Sequence, residues 1–165
     1  MPFRIGHGFD SHRLAVGEGM RLGGVWIECE YRLVAHSDGD ALIHALCDAL
    51  LGAIAGGDIG RLFPDHDAAH KGQDSGVFLR EVMCRVRAAG YAVGNADLTL
   101  VAQSPKMAPH APAIVATLAR ELGVDASAVN FKAKTNEGMG HLGRKEGIAA
   151  YAVVLLQRVD PPPSV

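Results

Sequence analysis

Residues 40–57 constrain this chain most. Asp40 is a residue type that caps helix N-termini. After it, Leu42, Ile43, Leu46, Leu50, Leu51 and Ile54 recur at helical spacing until Gly56-Gly57 stops the pattern. A helix with such a stripe needs an apolar surface to lie on, and the flanking sequence supplies strands. Phe3-Arg4-Ile5-Gly6-His7-Gly8-Phe9 alternates as a strand does, and residues 91–103, Val129–Lys134 and the apolar 148–158 also read as strands. Met20-Arg21-Leu22 and Val25-Trp26-Ile27 flank Gly23-Gly24, a two-residue hairpin signal. Two further helices are expected. One spans about 74–89, with Val77, Phe78, Val82 and Val86 on one face. The other is Ala111–Leu122, stopped by Gly123. Residues 58–72 and 138–147 read as loops. Strands and helices intermix without strict alternation. The expected fold is α+β, a single-domain sandwich of a mainly four-stranded mixed β-sheet with helices on one face. The domain spans 1–158, and the Pro-rich residues 159–165 form a flexible tail.

Composition excludes several function classes. A net charge of −2 argues against a nucleic-acid partner. No apolar run reaches the ~18–20 residues of a membrane span, and the N-terminus lacks an apolar signal core. A cytoplasmic protein without nucleic-acid or membrane partners is expected. The three cysteines, Cys29, Cys47 and Cys84, show no CxxC spacing, so neither a disulfide framework nor a thiolate zinc site fits. Cys47 and Cys84 fall within apolar helical patterns and read as core residues. Twenty glycines and eight histidines are the two excesses to explain.

Several segments carry candidate chemistry, each with a bland alternative. In an extended strand Asp10 and His12 point to one face, half of a site for a borderline metal, or else a turn cap and a surface histidine. His44 lies one turn inside the predicted helix, as a ligand or as a satisfied edge histidine. Asp48, four residues on, could orient it or simply face solvent. His36 and Ser37 precede that helix, where an anion or an ordinary cap would sit. The segment Asp58-Ile59-Gly60-Arg61-Leu62-Phe63-Pro64-Asp65-His66-Asp67 is rich in ligand types and equally in turn residues. Lys106 could meet a phosphate or face solvent. Thr135 and Glu137 suit a hard divalent cation.

Taken in order, these segments resemble one family. Gly6-His7-Gly8-Phe9-Asp10-Ser11-His12, Ala35-His36-Ser37-Asp38-Gly39-Asp40, His44-Ala45-Leu46-Cys47-Asp48 and Gly57-Asp58-Ile59-Gly60 come first. Ala102-Gln103-Ser104-Pro105-Lys106-Met107, Lys132-Ala133-Lys134-Thr135-Asn136-Glu137 and Gly143-Arg144-Lys145-Glu146-Gly147 follow. The chain resembles the 2-C-methyl-D-erythritol 2,4-cyclodiphosphate synthases of the non-mevalonate isoprenoid pathway over roughly residues 3–157.

The resemblance implies a homotrimeric phosphorus-oxygen lyase with active sites between subunits. Its substrate is 4-diphosphocytidyl-2-C-methyl-D-erythritol 2-phosphate. The 2-phosphate attacks the β-phosphate, and the cyclic diphosphate and CMP result. By resemblance Asp10, His12 and His44 bind Zn2+, while Mg2+ or Mn2+ bridges the substrate diphosphate and meets Glu137. His36 and Thr135 take the catalytic, transition-state-stabilising positions. The implied substrate contacts begin with Asp10, Ser11, His12, His36 and Ser37. Asp58, Ile59, Gly60, Phe63, Pro64, Asp65, His66 and Asp67 match the methylerythritol pocket. Ala102, Gln103, Ser104, Pro105, Lys106, Met107 and Ala108, with Lys134, match the cytidine and phosphate contacts, and Ala133, Thr135, Asn136 and Glu137 also match substrate contacts. His141 and Arg144 complete the set, near the trimer axis.

The family's usual run is Lys-Ala-Thr-Thr-Thr-Glu; here Lys134 and Asn136 replace the outer threonines. The length matches a synthase without the fused cytidylyltransferase. Two rival readings remain. One is a metal-dependent phosphohydrolase on the same ligands, which would need an activated water. The other is a non-catalytic metal-binding trimer.

Overall fold

A computed structural model of the chain describes residues 1–63 and 72–159. Pro64, Asp65, His66 and Asp67, and residues 160–165 of the expected tail, lie outside the described residues. The strands are β1 (Phe3–Val16), β2 (Gly19–Leu22), β3 (Val25–Glu28), β4 (Tyr31–Val34), β5 (Tyr91–Val101), β6 (Val129–Lys134) and β7 (Gly147–Arg158). The helices are α1 (Ala41–Ala53), α2 (Ile59–Leu62), α3 (Ser75–Ala88), α4 (Ala111–Leu122) and α5 (Gly140–Gly143). The main sheet runs β4-β1-β7-β5-β6, with only β5 and β6 parallel, while β2 and β3 pair as a separate hairpin. The α+β class holds, but the mixed sheet has five strands instead of the expected four. Tyr31–Val34 adds the fifth by pairing with the far end of β1, Arg13 opposite Val34 and Val16 opposite Tyr31.

Alternation explains the layering. On β7, Ile148, Ala150, Ala152, Val154 and Leu156 are fully buried, while Tyr151 and Val153 are exposed. On β5, Ala96, Leu98 and Leu100 face the same way and are buried. The helices cover that face, with α1 lying along β1 and β7. Gly6 and Gly8 permit this approach. A Cβ at Gly6 would stand 1.7 Å from the Ala49 carbonyl oxygen, and one at Gly8 would stand 1.9 Å from that of Ala45. The strand and helix backbones touch where any side chain would force them apart.

Three readings need correction. Residues 59–62, read as loop, form the short helix α2, because the Asp58 side chain accepts from the Arg61 N–H and caps it. Residues 140–143, in the glycine-rich loop, likewise form a helical turn. Cys84 is exposed instead of in the core, and Val77 is also exposed. They lie seven residues apart on one stripe of α3, while Phe78, Leu79, Val82, Met83 and Val86 form the buried one. All three cysteines are free. Among the described residues no helix is long and apolar enough to cross a membrane.

Candidate metal centre

The site begins with one buried carboxylate. Asp40 is fully buried, and its Oδ1 accepts from the N–H of Gly23 at 2.8 Å and of Ile43 at 3.1 Å. Its Oδ2 accepts from the Gly24 N–H at 2.7 Å. Gly23 and Gly24 both have positive φ, as the tight β2–β3 turn requires. Asp40 therefore caps α1 and ties the hairpin to it. Burial pushes its carboxyl pKa up, against the three N–H donors.

This fastening sets His44, whose backbone N–H donates to the Asp40 carbonyl at 2.9 Å. Asp10 and His12 come from β1, on the side that faces α1. Three ligand atoms converge there. Asp10 Oδ2 lies 3.0 Å from both His12 Nε2 and His44 Nδ1, and the two nitrogens are 3.2 Å apart. Side-chain exposures are 24% for Asp10, 17% for His12 and 12% for His44, so the cluster is mostly shielded yet reachable. Burial alone would raise the Asp10 carboxyl. The hydrogen bonds and charges of His12 and His44 outweigh it and hold the pKa at about 2. Burial would lower His44, but the Asp10 hydrogen bond, with the charges of Asp10, Asp40 and Asp38, raises it.

One carboxylate oxygen and two imidazole nitrogens lie mutually within 4.8 Å, the only such group of three among the described residues. Three protein ligands of this chemistry with an open side fit a divalent borderline metal in a catalytic arrangement. The cluster opens into a cavity of about 380 Å³ whose walls include Val34, Ala35, His36, Ser37, Ile59, Gly60, Phe63 and Phe78.

Asp48 does not orient His44. Its carboxylate accepts from the Ile59 N–H at 2.7 Å and anchors α2, one turn farther along. The second nitrogen of His44 instead meets Ser75 Oγ at 2.9 Å and Ser37 Oγ at 3.3 Å. Ser75 in turn donates its hydroxyl to Asp38. Sequence reasoning missed Ser75 and gave Asp38 no role. No local signal links a helix N-terminal serine to a histidine 31 positions earlier.

The other candidates collect elsewhere. A second cavity of about 470 Å³ opens between α4 and the ends of β5 and β6. Its lining includes Ala102, Gln103, Pro105, Lys106, Met107, Ala108, Ala133, Lys134 and Thr135. Ser104 joins Pro105 through a cis peptide. Beside it, Thr135 donates to Glu137 Oε1 at 2.8 Å, Asn136 donates to the Met139 carbonyl at 2.7 Å, and the Gly138 N–H reaches Gln103 Oε1 at 3.3 Å. His141 lines a small third hollow with Ser11, His12 and Arg13, and Arg144 pairs with Glu146 at 2.6 Å.

The first two cavities stand apart within one chain. Asp10 is level with Ala150, Ala150 with Leu100, and Leu100 with Ala133. Three strand spacings separate the metal cluster from the second cavity's wall, about 14 Å.

A model of the YgbB family matches residues 3–157. A protein from Aromatoleum aromaticum named 2-C-methyl-D-erythritol 2,4-cyclodiphosphate synthase is 59% identical over 157 residues, 95% of each chain. One of the same name from Bordetella avium is 58% identical over 158 residues, covering 96% of this chain and 98% of the relative. Among solved structures, a CDP complex of IspF from Plasmodium falciparum aligns with a TM-score of 0.85 at 34% identity, covering 96% of this chain and 97% of that one. The bifunctional IspDF from Campylobacter jejuni aligns with a TM-score of 0.92 at 40% identity over 96% of this chain, which spans 43% of its length.

Proposed function

The chain belongs to the YgbB family, that of the 2-C-methyl-D-erythritol 2,4-cyclodiphosphate synthases, and from that premise we propose its reaction. It converts 4-diphosphocytidyl-2-C-methyl-D-erythritol 2-phosphate into 2-C-methyl-D-erythritol 2,4-cyclodiphosphate and CMP. The 2-phosphate oxygen attacks the β-phosphorus, and CMP leaves with the electron pair of the broken P–O bond. The observation that carries this reading is the convergence of Asp10, His12 and His44 at the mouth of a cavity, in a chain matched to the family over residues 3–157.

The residues divide the work. Asp10, His12 and His44 would hold Zn2+, and Glu137 would hold Mg2+ or Mn2+. When bound, these dications would offset the mutual repulsion of the two anionic groups and polarise the phosphoryl oxygens. His36, exposed on the rim of the first cavity, and Thr135 donate to oxygens that gain charge in the transition state. Asp58, Ile59, Gly60 and Phe63, with residues 64–67, hold the methylerythritol. Residues 102–108, with Ala133 and Lys134, hold the cytidine and its phosphates. An ionised phosphate is already a nucleophile, so no general base is needed. Holding both ends of one molecule in attack geometry supplies up to ~7–11 kcal/mol of the barrier.

The working unit is a homotrimer with each site between subunits. Two observations support this. The Asp10 cluster on β1 and Ala133 on β6, four residues before Glu137, lie three strand spacings apart in the same chain. A site joining them draws on two copies. The open sheet face also exposes Ile5 (72%), Phe9 (48%), Tyr151 (40%) and Val153 (43%), an apolar surface that subunit contact would cover. The reading places the enzyme in the cytoplasm.

Incubation with the diphosphocytidyl substrate, followed by CMP quantification and phosphorus NMR, tests the reaction. CMP with an equal amount of cyclic diphosphate is expected. A linear phosphate product points to the phosphohydrolase, absence of CMP under every metal condition points to the scaffold, and either overturns the proposal.

A further inference from the structure

We propose that Ser75 and Asp38 are positioning residues that lock the His44 imidazole with Nδ1 toward the metal and Nε2 carrying the proton. This rests on the reading that Asp10, His12 and His44 hold a metal. Ser75 is fully buried at the first position of α3, yet it does not cap that helix. Asp74 does so, accepting from the Gly76 N–H at 2.7 Å. The Ser75 hydroxyl is left for two other contacts, Asp38 on one side and His44 Nε2 on the other.

Counting donors and acceptors sets the direction of this chain. Asp38 presents a carboxylate, which also accepts from the Ser75 backbone N–H at 3.1 Å and the Asp40 N–H at 3.1 Å. The Ser75 hydroxyl proton therefore points to Asp38, and its lone pairs face His44. Nε2 must then be a donor, which leaves Nδ1, 3.0 Å from Asp10 Oδ2, as the nitrogen that gives up its proton when a metal enters. Asp38 is itself held in place, since its N–H donates to the Gln73 carbonyl at 3.2 Å. Ser37 is a poorer substitute: its Oγ lies 3.3 Å from Nε2 and already accepts from the Gly39 N–H. Loss of Ser75 lets the ring turn toward that longer contact or take the other tautomer.

Removing partners of this kind lowers metal affinity by about 10–100-fold. The test measures Zn2+ affinity of the full-length protein against a chromophoric chelator for wild type, Ser75→Ala and Ser75→Thr. Ring-nitrogen NMR of His44 in the zinc-loaded wild type accompanies it. Expected are a loss of about 10–100-fold for Ser75→Ala, recovery in Ser75→Thr, and nitrogen shifts that mark Nδ1 as the ligand. A folded Ser75→Ala protein with wild-type affinity overturns the proposal. So does ligation through Nε2 in the wild type, which decides the matter even if Ser75→Ala does not fold. Wild type that fails to bind Zn2+ overturns the metal reading itself, an outcome distinct from binding that ignores Ser75.

Discussion

Asp40→Ala should be among the most damaging single substitutions in this protein. The side chain is fully buried, and its two oxygens satisfy the N–H groups of Gly23, Gly24 and Ile43 at 2.7–3.1 Å. Alanine leaves all three donors without a partner. An unsatisfied buried donor costs about 1–3 kcal/mol, and a lost N-cap costs about 1. Ile43 is the capped donor, so two unsatisfied turn donors plus the lost cap give an expected loss of about 3–7 kcal/mol. Set against a total stability of about 5–15 kcal/mol, that is a large share. Asp40→Asn keeps one acceptor oxygen but turns an amide toward the third donor, so about 1–3 kcal/mol is expected. Urea unfolding of metal-free protein, followed by far-ultraviolet circular dichroism at one protomer concentration, measures both. Fixed concentration matters because subunit association contributes to apparent stability. An Asp40→Ala value within about 0.5 kcal/mol of wild type refutes the reasoning, since it means that the hairpin turn and the start of α1 do not depend on this carboxylate.

Gly8→Ala places a Cβ 1.9 Å from the Ala45 carbonyl oxygen and must push β1 away from α1. A stability loss of at least about 1–3 kcal/mol should accompany weakened zinc binding, because Asp10 and His12 move relative to His44; a wild-type melting curve contradicts this. In metal-free protein Asp10, held at about 2, contributes stability above the ordinary carboxylate pKa, and this is lost as pH falls through 2. His44 is raised, so its contribution is full below the ordinary histidine value and lost as pH rises through the raised one. Zinc must displace the proton on the His44 nitrogen that faces Asp10, so affinity measured by chelator competition should climb as pH rises through that raised value; a flat profile contradicts the assignment. His44→Ala and Glu137→Ala should each be inactive alone. Randomly reassembled together they should regain roughly a quarter of wild-type activity if each site joins two subunits; no recovery contradicts the interfacial site.

Much of this architecture is legible because its signals are local. Asp40, the apolar stripe after it and Gly56-Gly57 give α1, which the structure bounds at Ala41–Ala53. Gly23-Gly24 gives the hairpin. What escaped is set by tertiary contact. β4 has only four residues, too few for alternation to speak, and exists because the end of β1 offers it an edge. β1 continues through the polar Asp10-Ser11-His12-Arg13, a stretch that also suits a turn, because β7 pairs with every residue of it. α2 is a single turn that depends on its Asp58 cap. Cys84 follows the apolar pattern of α3 yet falls on its exposed stripe. Asp10, His12 and His44 could each be picked out as metal-ligand types, and their convergence needs only that α1 lie along β1. The Asp38–Ser75 contact to His44 needs α3 in place as well, and no spacing rule reaches that far.

The central claim is that the substrate's own phosphate, and not water, attacks the β-phosphorus. Turnover in oxygen-18-labelled water, followed by mass spectrometry of both products, tests it most directly. The account predicts a cyclic diphosphate and CMP that carry no label. One labelled oxygen in either CMP or a linear methylerythritol phosphate contradicts it.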